Sequence, residues 1–183
     1  MKKVLVFLAE GFEEMEVATP VDLLRRAGVD CKMVSITEKK EVMGAHGMVY
    51  VADLLFDEAL ARLADGIVLP GGIPGTTNLQ KHQGLKKVLR YFDAEQKIIA
   101  AICAAPMILG EMGLVKGKEA TIYPGMEDHL SGALPVQSPT CKDGHILTSR
   151  APGTAVPFAL RLVEIFAGAE AMETVRKEIV YGE

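Results

Sequence analysis

Tryptophan is absent from the 183 residues, and aromatic residues make up only 5%. No block of Lys or Arg exceeds two residues, and the formal net charge is −4. A chain so poor in basic patches and stacking rings is not built for nucleic acid or for an anionic membrane surface. Cysteine is scarce as well. There are three, an odd count, which excludes a disulfide framework, and no Cys-x-x-Cys occurs. The four histidines, His46, His82, His129 and His145, lack the i, i+4 spacing of metal ligands, so no metal site is expected. Long hydrophobic runs are missing too. The longest, Ile98 to Gly110, is too short to span a membrane and is interrupted by Pro106. The apolar run at the N-terminus, Val4 to Ala9, covers six residues and is followed by acids. It reads as a strand, not as a signal peptide. No linker or repeat divides the chain. What is present is globular: 49% apolar and 24% charged residues, with a mean hydropathy of +0.22. A single cytoplasmic domain over residues 1–183 is the expectation.

The elements alternate. Val4 to Ala9 is an apolar run of the kind found in strands buried on both faces. Met15 to Arg26 follows with helical spacing, placing Val17, Val21 and Leu24 on one face. Cys31 to Ile36, Gly66 to Leu69 and Lys97 to Ile102 read as further strands. Glu41 to Val51 reads as a hairpin or irregular excursion. Asp57 to Leu63, Leu79 to Phe92, Ala104 to Met112, Pro152 to Phe166 and Ala169 to Glu178 read as helices. Residues 118–148, rich in Pro and Gly, read as short strands ending in one at His145 to Thr148. Such alternation predicts an α/β fold with a mainly parallel sheet and helices on both faces.

In open α/β sheets, ligands bind beyond the carboxyl ends of the strands. Three of those ends are chemically unusual. The first runs into Glu10-Gly-Phe-Glu13-Glu14-Met-Glu16, the third into Pro70-Gly71-Gly72-Ile-Pro-Gly75, and the fourth into Cys103. Ala101-Ile-Cys103-Ala-Ala105 has the form of a nucleophile elbow, with small residues two before and two after the nucleophile. The helix start beyond it would favour thiolate. The alternative is an ordinary buried Cys. Gly71 and Gly72 permit close backbone approach and N–H groups aimed at a developing oxyanion. On their own they read as a tight turn. No Gly-Lys-Ser/Thr follows Gly75, so this is not a Walker loop. The four acids after the first strand read as a solvated helix start, with one of them free to point inward and share a proton with the thiol. They would repel the phosphate of a flavodoxin cofactor. Pro-Gly-Gly stands where a receiver domain needs its acceptor Asp. His46 is kept as a pocket-rim residue. Arg150, at a strand end, is either a surface residue or an anion binder.

The segments Gly11-Phe-Glu-Glu-Met-Glu16, Pro20-Val-Asp-Leu-Leu-Arg-Arg-Ala-Gly28, Val68-Leu-Pro-Gly-Gly72, Ala100-Ala-Ile-Cys-Ala-Ala-Pro106 and Leu147-Thr-Ser-Arg-Ala-Pro-Gly-Thr154 carry a resemblance over nearly the whole chain. The chain resembles the ThiJ/PfpI family, closest to the branch of the Parkinsonism-associated deglycase and its bacterial YajL-like relatives. The resemblance implies a flavodoxin-like three-layer sandwich, like that of class I glutamine amidotransferases, assembled as a homodimer. It implies a reactive Cys103, a protonated partner carboxyl at Glu16, and an oxyanion site from the N–H groups of Gly72 and Ala104. It implies a cofactor-free enzyme acting on a small carbonyl substrate or on glycated adducts. The alternative is a redox-dependent stress protein or chaperone using the same Cys. A peptidase is the weaker option, because the protease branch has a His directly after the nucleophile and this chain has Ala104. Many close relatives carry a His near the thiol where this chain has Tyr123. A phenol is a poor base near neutral pH, which shifts proton work onto Glu16.

Overall fold

The first apolar run forms β1 (Lys3–Leu8), and alternate side chains serve opposite faces of the sheet. Val4, Val6 and Leu8 join one core cluster; Leu5, Phe7 and Ala9 join the other. This is why the run is continuously apolar. Each Leu or Phe so buried stabilises the fold by about 1.5–3 kcal/mol. The structure is a computed structural model that describes residues 1–182.

In chain order, β1 is followed by α1 (Glu14–Arg26), β2 (Asp30–Ser35), β3 (Glu41–Met43), β4 (Val49–Val51), β5 (Leu54–Leu55), α2 (Glu58–Arg62) and β6 (Gly66–Leu69). Then come α3 (Gly75–Lys81), α4 (Gln83–Ala94), β7 (Ile98–Ile102), α5 (Pro106–Glu111), β8 (Glu119–Ala120) and β9 (Leu134–Pro135). The chain continues through β10 (Thr140–Asp143), β11 (Ile146–Ser149), α6 (Ala155–Ala167) and α7 (Ala169–Glu178). The main sheet has seven strands in the order β10-β11-β7-β6-β1-β2-β5. Only the β10–β11 pair is antiparallel within it. Core residues of α1, α6 and α7 pack on one face, and those of α3, α4 and α5 on the other. This is the flavodoxin-like sandwich that the resemblance implies.

Local sequence explains most of the boundaries. Glu13 caps α1, its Oε2 accepting the Glu16 N–H at 2.9 Å. Asp57 caps α2 in the same way. The expected face of α4, with Leu85, Val88, Leu89 and Phe92, is fully buried. One expectation is corrected. Leu79 to Phe92 is not a single helix: the chain breaks at His82, whose ψ of 105° is extended and whose Nδ1 accepts the Leu85 N–H to cap α4. Glu41 to Val51 forms the hairpin β3–β4 outside the main sheet. It lies against the start of α1: Tyr50 Oη donates to the Glu14 carbonyl at 3.2 Å, and the Ala45 N–H donates to the Phe12 carbonyl. Among the described residues, no helix is long and apolar enough to cross a membrane.

The strand order makes β1, β6 and β7 neighbours at the centre of the sheet. From β1 the chain goes to β2 on one side and returns to β6 on the other. This reversal is the switch point of the sheet, beside whose carboxyl ends α/β folds place ligands. The Glu10–Glu16 segment, the Pro70–Gly75 segment and Cys103 therefore converge.

Candidate active site

β7 runs into a turn made by Cys103, which has φ +63. A non-glycine residue in this region costs about 1–3 kcal/mol and persists only where its surroundings hold it. Here both peptide groups are held. The Cys103 N–H donates to the Ser149 carbonyl at 3.0 Å, and the Tyr123 N–H donates to the Cys103 carbonyl at 2.9 Å. Ser149 is anchored in turn, its Oγ lying 2.7 Å from Thr154 Oγ1. Ala101 and Ala105 are fully buried beside the turn, where larger side chains would not fit. The elbow expected from the sequence is thus present. The backbone N–H groups of Gly72 and Ala104 act on the Cys103 thiol and favour its ionised form.

Glu16 lies in the first turn of α1 and is 0% exposed. Its Oε2 accepts the Gly71 N–H at 2.7 Å, and its carboxyl interacts with the Cys103 thiol. Oε1 is buried without a partner of hydrogen-bonding geometry. Gly71 is what lets acid and thiol meet. A Cβ there would lie 2.6 Å from Cys103 Cβ and 2.8 Å from Glu16 Oε2. Gly72, at φ +85, is packed on its other side against Gly11 and Glu13. The Glu13 N–H donates to the Gly71 carbonyl, and the Gly75 N–H to the Gly11 carbonyl, so the two loops form one unit.

Burial raises the Glu16 carboxyl to about 7, the Gly71 N–H and the thiol oppose that rise, and the Glu13 charge adds to it. Burial also pushes the Cys103 thiol up, to about 12, aided by the Glu16 charge and hydrogen bond and opposed by the Gly72 and Ala104 N–H groups. The N–H at the helix start does favour thiolate, as expected, but burial, and after it the Glu16 charge, outweighs it. α5 itself has six residues and begins only at Pro106. The two groups titrate as a pair, and one proton is shared between them over a wide pH range.

The acid run is not a solvated helix start. Glu13, Glu14 and Glu16 are all buried, and only Glu10 is exposed. Glu14 binds the hairpin, its Oε1 accepting the His46 N–H at 2.7 Å and its Oε2 lying 2.8 Å from His46 Nδ1. Burial acts to raise Glu14, but these hydrogen bonds outweigh it and hold the carboxyl below its usual range. His46 therefore serves the hairpin, and its ring is exposed. Glu13, Glu14 and His46 bring one possible ligand atom each within 4.8 Å of one another, a grouping that His spacing could not reveal. Glu13 Oε2 is engaged in the helix cap, and both Glu14 oxygens and His46 Nδ1 in the hairpin latch. Arg150 follows Ser149, but among the described residues its guanidinium makes only a long contact of 3.5 Å with the Gln137 carbonyl. Ser149 and Thr154, which hold the elbow, were not singled out in the sequence, because a hydroxyl that bonds only backbone and another hydroxyl leaves no spacing signal.

The DJ-1/PfpI family pattern matches residues 2–165. The chain is 35% identical over 183 residues to the Parkinson disease protein 7 homolog of Danio rerio, covering 98% of this chain and 97% of that protein. It is 30% identical over 165 residues to a deglycase of Pyrococcus horikoshii, covering 89% of this chain and 98% of the relative. Protein DJ-1 homolog B of Arabidopsis thaliana is 39% identical over 181 residues, which are 98% of this chain. The chain spans only 41% of that relative's length and 45% of the length of homolog A. Among solved structures, oxidized Toxoplasma gondii DJ-1 superposes with a TM-score of 0.94 at 32% identity, covering 100% of both chains. With one sandwich, one elbow and one matched pattern over most of its length, the chain belongs to the DJ-1/PfpI family.

Proposed function

We propose that the chain is a cofactor-free, cysteine-dependent enzyme acting on small reactive carbonyls. The observation that carries this reading is the buried Cys103–Glu16 pair beneath the N–H groups of Gly72 and Ala104. With methylglyoxal, the Cys103 thiolate attacks the aldehyde carbon and forms a C–S bond. The two N–H groups hold the resulting oxyanion. Glu16, which holds the pair's proton while Cys103 is thiolate, gives it to that oxyanion. As a carboxylate it then takes the proton from the same carbon and returns it to the neighbouring one, giving a thioester. Water then releases lactate and restores the thiol. Methylglyoxal plus water equals lactic acid, so no oxidant or reductant is needed. A relative named as a deglycase supports a carbonyl-directed role.

A second reading is a redox-responsive protein in which Cys103 stops at an oxygenated acid. It is favoured by the structural neighbour described as oxidized. One experiment separates the two. Purified protein with methylglyoxal is expected to form lactate, read by proton NMR. No lactate, together with two oxygens added to Cys103 alone under mild peroxide, would replace the first reading by the second.

We also propose a homodimer. Met15 of α1 and Met43, Met48, Val49 and Val51 of the hairpin are exposed and apolar, a face suited to a second copy of itself. Sedimentation is expected to give twice 19.7 kDa, and Val51→Asp to shift it towards one chain. A wild-type chain that sediments as a monomer at micromolar concentration removes the proposal.

A further inference from the structure

Two exposed apolar side chains are carried by main chain that adjoins the Cys103 turn. Ile73 follows Gly72, whose N–H acts on the thiol, and is 61% exposed. Tyr123, whose N–H is bonded to the Cys103 carbonyl, is 45% exposed. Among the described residues, neither side chain has a hydrogen-bond, ion-pair or ring partner. Cys103 itself is 9% exposed, so little of it meets solvent directly. The main chain at both positions is fixed. Tyr123 opens a turn closed by the Met126 N–H on its carbonyl, and the Thr76 N–H donates to the Gly72 carbonyl.

The charges around the pair have one sign. The ionisable groups that act on Cys103 and Glu16, apart from each other, reduce to the acid Glu13 among the described residues. The two candidate cations are engaged elsewhere: His46 is bonded to Glu14, and Arg150 leans towards Gln137. An anionic substrate would meet buried carboxyls with no compensating cation among the described residues of this chain, a costly arrangement in a low-dielectric site.

We propose that this site selects neutral carbonyl compounds bearing an apolar substituent, that Ile73 and Tyr123 are its specificity-determining side chains, and that carboxylate- or phosphate-bearing aldehydes are excluded. The proposal rests on the reading of Cys103 as nucleophile. In carbonyl chemistry it ranks an aryl α-oxoaldehyde above methylglyoxal, and methylglyoxal above glyoxylate. Apolar contacts of this kind discriminate by about 10–200-fold. The Tyr123 ring supplies area to the substituent, and its hydroxyl is not required.

The test uses the full chain and the rate at which Cys103 takes up three alkylating agents, read by mass on its own peptide. They are iodoacetamide, its anionic counterpart iodoacetate, and N-benzyl iodoacetamide. Each rate is divided by that of glutathione under the same conditions. The normalised rate with iodoacetate is expected to fall at least about tenfold below that with iodoacetamide, and the benzyl reagent to gain about tenfold. Ile73→Ala and Tyr123→Ala should each lose most of the benzyl preference, and Tyr123→Phe should keep it. Iodoacetate reacting as well as iodoacetamide overturns the proposal, as does a benzyl preference unchanged in both alanine variants. A Cys103 that accepts none of the reagents overturns the nucleophile reading and the proposal with it. Selective alkylation without lactate formation leaves this selectivity standing and removes the carbonyl-enzyme reading, so the two failures are distinct.

Discussion

Cys103→Ala is expected to abolish lactate formation from methylglyoxal, and Glu16→Gln to slow it by about 10²–10⁴-fold, the usual worth of a positioned acid–base group. The sign of the pH dependence follows from the pair. Wild type holds two protons below about 7 and one above it. Thiol alkylation and turnover should therefore rise as pH increases through about 7, and alkylation should rise again only towards about 12. Glu16→Gln removes the negative charge and the acceptor that help push the thiol up. Burial remains, and so do the Gly72 and Ala104 donors. A single step, below about 12 and without the rise near 7, is expected. The measurement is the pH dependence of iodoacetamide alkylation. Identical curves in both proteins, each resembling a free cysteine, would remove the coupled pair.

Stability carries the same signature. An unfolded Glu16 ionises near 4.5, while the folded one keeps its proton to about 7. The unfolded state binds fewer protons in that window, so stability falls as pH rises from about 4.5 to about 7. The loss is on the order of 3 kcal/mol at most, from about 1.4 kcal/mol per unit. Glu16→Gln should flatten that slope.

Gly72→Ala is expected to cost about 3 kcal/mol or more and to inactivate the site. Its φ of +85 alone disfavours an L side chain by about 1–2 kcal/mol. The added Cβ would then stand 2.5 Å from the Glu13 nitrogen and 2.6 Å from the Gly11 carbonyl oxygen. Both are backbone atoms, so the two loops must separate, and the N–H that acts on the thiol moves with them. Gly71→Ala differs. Its clashes are with the Cys103 and Glu16 side chains, so it should lose thiol reactivity out of proportion to stability. Gly153→Ala is the control: nothing lies within 4 Å of its added Cβ, and a change within about 0.5 kcal/mol is expected. Urea midpoints and Cys103 alkylation rates report both quantities. A Gly72→Ala midpoint equal to that of Gly153→Ala would contradict the packing argument.

The α/β architecture was legible because its signals are local. Val4 to Ala9 is apolar at every position only because both faces of β1 are covered. The elbow was legible for a similar reason, since Ala101 and Ala105 report the space around Cys103. The break at His82 was hidden, because nothing in helical periodicity marks a ring nitrogen that caps the next helix. The two-residue strand β5 was hidden by its brevity. The burial of Glu13, Glu14 and Glu16 could not be read from a run of acids, which looks the same when solvated.

By itself, then, the sequence determined the order of the main strands and helices, the turn that carries the thiol, and the glycines that allow close approach. Each depends on residues near one another in the chain. The residues themselves left open which of four acids meets Cys103, and the resemblance pointed to Glu16. The tertiary structure brings that acid to the thiol and keeps His46 and Arg150 engaged elsewhere. It also decided that His46 serves the hairpin while Ser149 and Thr154 hold the elbow. Those outcomes depend on burial and on distances between segments far apart in sequence, and proton affinity responds to both.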